Sequence, residues 1–392
     1  MQAFRLNNQT DLRFGPLKEA DLKAAVSQFG DRVLFVYGGH SIKASGLYDR
    51  VIKALSGLHV TELPGIAPNP KIDSVRAGQK LAKANNIQVI LAVGGGSVID
   101  ASKVIGEAAN YDGDPWDIVR DSELGKNTPQ LPIVDVVTLA ATGTEMNINA
   151  VISNPETKQK LGARSSRTPA VSFMDPTLTF TVPARQTAAG AMDIFSHLCE
   201  QYFDREPDND ATKGMIEGLL RSVIKWAPVA IKHPDSLPAR QNLMWTATAA
   251  LNGEMGAGNR NGWSCHPMEH ELSAYYDITH GVGLGILTPR WMHYVLTTDP
   301  TTTALFARFG RNVWHLTDAE DEDLAGHAIA KTLAWITSLG FGMTLPEVGI
   351  PDDKNFAPMA QAAAKRLGNA YLPLDEAAVT AIYQASMTPG LA

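Results

Sequence analysis

Five residues of metal-ligand type fall into two tight groups in the second half of the chain. Asp193 and His197 are spaced i, i+4, and so are His266 and His270; His280 follows, leading the run Gly281-Val282-Gly283-Leu284-Gly285. Residues four apart on a helix project from one face, so each pair can aim two donors at one ion. Any single histidine of this kind is more often a satisfied structural residue, and it is the joint pattern that points to a metal site. Three imidazoles with one carboxylate suit Zn2+, Fe2+ or a similar ion and are too rich in nitrogen for Ca2+ or Mg2+. Cys199 and Cys265 border the two groups but are offset from the ligand faces, and read as packing residues.

A second pattern concerns phosphate. The apolar run Ile87–Val93 leads directly into Gly94-Gly95-Gly96-Ser97, and Val98 to Ala109 then reads as a helix. Strand, glycine turn and helix start together form a cradle in which backbone N–H groups face an anion. Ser97 is placed to cap the helix or to donate to a phosphate oxygen, and Asp100 to reach a sugar hydroxyl. The spacing is not G-x-G-x-x-G, so a standard dinucleotide fingerprint is not implied. Thr138, followed by Leu-Ala-Ala-Thr142-Gly143-Thr144-Glu145, offers a second, weaker loop of hydroxyls and one glycine after another strand. An earlier turn, Gly38-Gly39-His40-Ser41, follows the strand Val33–Tyr37. A carboxylate at that place commonly binds the adenosine ribose and repels a 2′-phosphate. Gly38 stands there instead, with Ser41 and Lys43 behind it as donors, and this favours NADP(H). Lys158, just after the strand Ala150–Ser153, is a candidate cationic partner for the cofactor.

The elements that must position these residues differ between the two halves. The first half alternates short β-branched runs with helical spacing: strands near Val33–Tyr37, Leu58–Leu63, Ile87–Val93, Ile133–Leu139 and Ala150–Ser153, helices near Ser45–Ser56 and Lys71–Asn85. That order implies a parallel sheet covered by helices, an α/β, Rossmann-like dinucleotide-binding domain over residues 1–182. From residue 183 to 392 strand signals disappear and helical spacing dominates, in Ala184–Phe203, Asp210–Ile231, Ser236–Glu254, Leu324–Leu339, Phe356–Leu367 and Leu374–Met387. This second part is expected to be an all-α, metal-binding domain. The glycine run after His280 follows no strand and reads as a tightly packed helix start.

Composition narrows the function classes. The chain of 392 residues is 44% hydrophobic and 19% charged, with a formal net charge of −7. Such a chain can bury a large core, and it lacks the basic clusters that nucleic acid or an anionic membrane would require. Two cysteines make no disulfide framework, the N-terminal stretch lacks a signal-peptide core, and no apolar run is long enough to span a bilayer. A reducing cytoplasm fits these features.

Across nearly its full length the chain resembles the iron-containing, group III alcohol dehydrogenases. The matching stretches are Gly94-Gly95-Gly96-Ser97 with Asp100, Ala141 to Glu145, Asp193 with His197, and His266 with His270 and His280-Gly281. Tyr37 to Ser41 and Glu145-Met146-Asn147 make it similar to the NADP(H)-dependent aldehyde reductase and butanol dehydrogenase branch. Thr279 stands where many relatives have Pro, and His40 where the branch often has Gly. The resemblance implies a dehydroquinate synthase-like architecture with the active site in the cleft between the domains, and a homodimer. It also implies one divalent ion, Fe2+ or Zn2+, on Asp193, His197, His266 and His280, with His270 near the ion but not bound to it. The expected reaction is hydride transfer between NADP(H) and a small aldehyde or alcohol, with His270 supplying the proton. The main rival is a lyase of the dehydroquinate synthase type. Its polyanionic substrate calls for a basic cluster, whereas the ligand segments carry Trp263, Met268, Tyr275, Tyr276 and Trp291. A non-catalytic binding module is the other rival, and turnover of an aliphatic aldehyde would exclude it.

Overall fold

A computed structural model describes residues 1–318 and 320–391, and the chain divides into two compact units. The first comprises Asn7–Val182 and Pro234–Asn252; the second comprises Met1–Leu6, Pro183–His233 and Gly253–Ala392.

The first unit is built on strands β1 (Asp11–Phe14), β2 (Arg32–Tyr37), β3 (His59–Leu63), β4 (Val89–Gly94), β5 (Ile133–Val137), β6 (Asn149–Asn154), β7 (Gln159–Arg164) and β8 (Val171–Met174). Six of them form one parallel sheet in the order β1-β8-β5-β4-β2-β3, and β6 and β7 form a separate antiparallel hairpin. The central strands read RVLFVY, VILAVG and IVDVV and are buried almost throughout, as a parallel sheet covered on both faces requires. Helices α1 (Glu19–Ser27), α2 (Ser41–Ala44) and α3 (Leu47–Ala54) follow β1 and β2, and α1 and α3 pack with Val33, Phe35, Leu91 and Val136 on one face. Helices α4 (Ile72–Ala84), α5 (Gly96–Ala108) and α6 (Pro115–Arg120) pack with Leu34, Val36, Ile90 and Ala92 on the other, and α7 (Ser122–Asn127) follows them. The chain passes from β2 outward to β3 and then returns to the far side of β2 for β4. The carboxyl ends of β2 and β4 therefore flank a topological switch point, where open α/β sheets bind their ligands.

Within this unit, β1, α1, α2, α6, α7, β7 and β8 were not apparent in the sequence. The reason is physical. β1 reads DLRF and β7 reads QKLGAR, neither with an apolar run, and both form because a neighbouring strand supplies their hydrogen bonds. Helix α10 (Leu237–Leu251) forms in the stretch expected to be helical, yet it belongs to the first unit. There its Thr248 hydroxyl donates to the buried Glu145 carboxylate.

The second unit is helical: α8 (Ala184–Tyr202), α9 (Asp210–Lys232), α11 (Cys265–Tyr276), α12 (His280–Thr298), α13 (Thr303–Trp314), α14 (Asp321–Ser338), α15 (Phe356–Ala364) and α16 (Glu376–Ala385). Helix α8 is buried from Thr187 to Tyr202. Its Phe195 lies against Trp335, and Tyr202 and Phe203 meet Phe309, with Phe306 and Trp291 around Phe203. Helix α12 starts at His280, as the glycine run suggested, and Gly281 is pressed so closely on the Ala189 carbonyl of α8 that a Cβ has no room. Cys199 and Cys265 are buried, as packing residues should be. Among the described residues, no helix is long and apolar enough to cross a membrane.

In the first unit α4 and α5 approach through Gly78, where a Cβ would stand 2.5 Å from Ile105 Cδ1. Gly78→Leu is therefore expected to overpack this seam and cost about 1–3 kcal/mol. A lowered denaturant midpoint with an unchanged m-value would show it.

Candidate functional site

The ligand-type residues converge within the second unit. Helix α8 presents Asp193 and His197 one turn apart, α11 presents His266, and the first residue of α12 is His280. The Asp193 Oδ1 atom lies 3.6 Å from His197 Nε2, 3.7 Å from His266 Nε2 and 3.5 Å from His280 Nε2. These separations are too long for hydrogen bonds. They match donors sharing one ion, since ligand atoms about 2.1 Å from a tetrahedral centre stand about 3.4 Å apart, and those of Asp193, His266 and His280 all lie within 4.8 Å of one another, with His197 beside Asp193. Asp193 Oδ1 and His266 Nε2 are both buried without a hydrogen-bond partner, an arrangement that a cation would satisfy. The residues present thus fit a divalent ion. His270 occupies the same face of α11 as His266, with ring centroids 6.3 Å from His266 and 5.7 Å from His280.

Two carboxylates that the sequence reading missed stand behind the imidazoles. Glu200 Oε1 lies 3.0 Å from His266 Nδ1, and Glu269 Oε2 contacts His280 Nδ1. Spacing did not signal them, because Glu200 serves a ring 66 residues away and Glu269 one on the following helix. The charges are strongly biased. Burial opposes ionisation of Asp193, but His197 and the other imidazoles hold its carboxyl well below the usual range. Burial drives His197 down to about 3, so it is a neutral donor. Burial also acts against a charged His266, but the nearby carboxylates of Asp193 and Glu200 prevail and raise it to about 9. Trp263 forms the apolar wall, with ring centroids 4.6 Å from His266 and 5.7 Å from His197.

The cofactor candidates gather at the carboxyl end of the sheet in the first unit. Gly94 ends β4, Gly95 precedes α5, and Gly96 and Ser97 are its first two residues. Ser97 is thus not the cap, since the helix starts two residues earlier than its sequence suggested, with Gly95 at the cap. The glycines have a packing reason as well as a ligand one: a Cβ at Gly94 would meet Val98, at Gly95 Leu139, and at Gly96 Thr142. Thr138 donates its backbone N–H to the Gly94 carbonyl at 3.0 Å, which sets its loop, with Thr142, beside the glycine turn.

Asp100 does not face outward toward a sugar. Its carboxylate accepts from the Thr144 hydroxyl at 2.6 Å and the Val151 N–H at 2.9 Å, and only 8% of the residue is exposed. As the fifth residue of α5, past its first turn, it points across to the loop before β6 instead. Lys103, fully buried, completes this knot by donating to the Thr144 carbonyl at 2.7 Å, the Asn147 side chain at 3.2 Å and the Asn149 carbonyl at 2.7 Å. Lys158 sits exposed in the β6–β7 turn with φ 50°, and Lys160 on β7 is the buried lysine of this hairpin. Strand alternation, which needs the register, places Lys160 inward.

Gly38 and Gly39 follow β2 and are not crowded: the nearest atom to a Cβ at Gly38 is the Ile66 carbonyl oxygen at 3.5 Å. Ser41 opens α2, and the exposed Lys43 places its ammonium 4.8 Å from the Tyr48 ring centre. Tyr37 and Tyr48 both donate to Glu62 on β3, at 2.7 and 3.0 Å.

Comparison with known proteins gives the family. The family model described as iron-containing alcohol dehydrogenase matches residues 9–176, and that of the Fe-containing alcohol dehydrogenase family, C-terminal, matches residues 187–387. The chain belongs to the iron-containing alcohol dehydrogenase family. It is 46% identical to NADH-dependent butanol dehydrogenase A of Clostridium acetobutylicum over 94% of each chain. It is 37% identical to the NADPH-dependent aldehyde reductase YqhD of Escherichia coli, over 89% of this chain and 90% of that one. The crystal structure of NADH-dependent butanol dehydrogenase A from Thermotoga maritima superimposes with a TM-score of 0.92 at 37% identity, covering 99% of both chains.

Removing one imidazole should expose the role of this cluster. His266→Ala is expected to lose most bound divalent ion, read by elemental analysis of the dialysed protein, while far-ultraviolet circular dichroism keeps its helical signal. Full metal content in that variant would overturn the assignment.

Proposed function

We propose that the protein reduces small aliphatic aldehydes, or oxidises the corresponding alcohols, with NADP(H) and one divalent ion, Fe2+ or Zn2+. The observation that carries the reading is the buried carboxylate–imidazole cluster with unpartnered donor atoms, in a chain of the iron-containing alcohol dehydrogenase family. Asp193, His197, His266 and His280 hold the ion. Once bound, the ion supplies a Lewis acid for the substrate oxygen, and the nicotinamide supplies the hydride. No protein nucleophile is required. Trp263 offers an apolar wall that suits an aliphatic chain better than the polyanion of the rival lyase. The first amides of α5, at Gly96 and Ser97, bind the pyrophosphate, with Gly94, Gly95, Thr138 and Thr142 shaping the approach. The names of the relatives support both a small aldehyde or alcohol and a nicotinamide cofactor, and the resemblance supports a homodimer.

The preference for NADP(H) rests on Gly38, and the relatives' names include both NADH and NADPH. Steady-state rates with butanal and each cofactor test it: a higher kcat/KM with NADPH is expected, and equal values would refute it. The room at Gly38 accommodates a side chain, so Gly38→Asp should reverse the preference by one to a few kcal/mol, as the carboxylate repels the 2′-phosphate and binds the ribose.

His270 lies beside the proposed ion ligands without belonging to the four, and imidazole can hand a proton to the substrate oxygen near neutral pH. His270→Ala should lower kcat by about 10²–10⁴-fold, with metal content and NADPH affinity retained and a flatter pH profile. Loss of metal would make it a ligand, and an unchanged kcat would assign the proton to another source.

A further inference from the structure

We infer that Glu269 and Glu200 are positioning residues for the metal: each holds one imidazole in the tautomer that directs its Nε2 lone pair to the ion. The inference rests on the metal reading above and concerns residues that reading does not use.

Both carboxylates are buried, Glu269 with no exposure and Glu200 at 3%. A buried carboxylate is costly unless it is paired and hydrogen-bonded. Each is matched to the Nδ1 of an imidazole whose Nε2 faces Asp193. His266 has Glu200 at 3.0 Å on Nδ1 and Asp193 at 3.7 Å from Nε2. His280 has Glu269 on Nδ1 and Asp193 at 3.5 Å from Nε2. A carboxylate only accepts, so each Nδ1 must carry the hydrogen, and it is Nε2 that gives its electron pair when the ion binds. The pairing is specific rather than general to the cluster, because the Nδ1 of His197 is buried with no hydrogen-bond partner. Carboxylate behind imidazole also raises the basicity of the ligand.

The two glutamates are not equivalent. Glu200 also accepts the backbone N–H groups of Ser264 at 2.6 Å and His266 at 2.8 Å, so it fixes the start of α11 as well as the ring. Glu269 takes the Ser273 hydroxyl, on its own helix, and the His280 ring. His280 is the ligand with the most accessible side chain, 24% against 6% for His197 and His266, so its orientation depends most on that carboxylate. Glu269 is therefore the cleaner position to test.

Co2+ is the probe, titrated into demetallated native protein and variants against a competing chelator, with its visible absorption recorded. The native protein should bind one Co2+ per chain. Glu269→Gln keeps the shape and an acceptor but loses the charge, and should weaken Co2+ affinity about 10–100-fold, with an altered absorption band. Glu269→Asp should recover part of the loss. In a His280→Ala background, Glu269→Gln should have no further effect, because the ring through which it acts is gone. Native affinity and spectrum in Glu269→Gln, or an equal loss with and without His280, would overturn the inference. A native protein that takes up no Co2+ would instead overturn the metal reading beneath it.

Discussion

The second unit is organised around a local charge constraint. A buried carboxylate, Asp193, is met by three imidazole nitrogens at 3.5–3.7 Å, with two more carboxylates on the far side of two of those rings. Such a group of acceptors and lone pairs is costly to bury together unless a cation stands among them. The packing follows from this demand. Helix α8 is enclosed along most of its length because it carries two of the donors. Helix α12 approaches α8 at Gly281, one residue past His280, close enough that only glycine fits. The ligand helix thus abuts α8 in the turn that bears the last imidazole.

The first unit solves a different problem, that of holding loops at the end of a sheet. Lys103 and Asp100 project from α5 into a buried knot with Thr144 and the backbone at Asn149 and Val151. Each hydrogen bond is modest, but burial makes an unpaired member costly, so the group holds together. Burial lowers the Lys103 ammonium to about 8, and the carboxylates nearby oppose that fall. The result is a rigid support beneath the glycine turn, and Asp100, which has the spacing of a ligand-binding residue, is part of that support.

Relatives of this chain bear names with either nicotinamide cofactor and with butanol or aldehyde substrates. That spread is what the site's construction allows. In the reading proposed above, the metal cluster serves only the reacting oxygen and cofactor choice resides in a few residues after β2. The open surroundings of Gly38 and the ring contact of Lys43 leave that region free to vary without disturbing the sheet.

Much of the fold was legible because its signals are local. The buried strands β2, β4 and β5 are continuous apolar runs, and the i, i+4 pairs Asp193–His197 and His266–His270 need only helical geometry to align. The Gly94 to Gly96 turn was legible for the same reason, and so was the switch from strand to helix character near residue 182. What the tertiary structure alone decided was direction and partnership. Whether Asp100 turned inward or outward, and whether Lys158 or Lys160 was buried, depended on strand register and on which loop came to rest against α5. The roles of Glu200 and Glu269 were hidden because a glutamate on a helix reads as solvated until a distant ring is brought to it. β1 and β7 carry no pattern of their own and exist through their neighbours' hydrogen bonds. Periodicity and residue type are properties of a segment and can be read along the chain, whereas burial and pairing belong to two segments at once and are decided only when they meet.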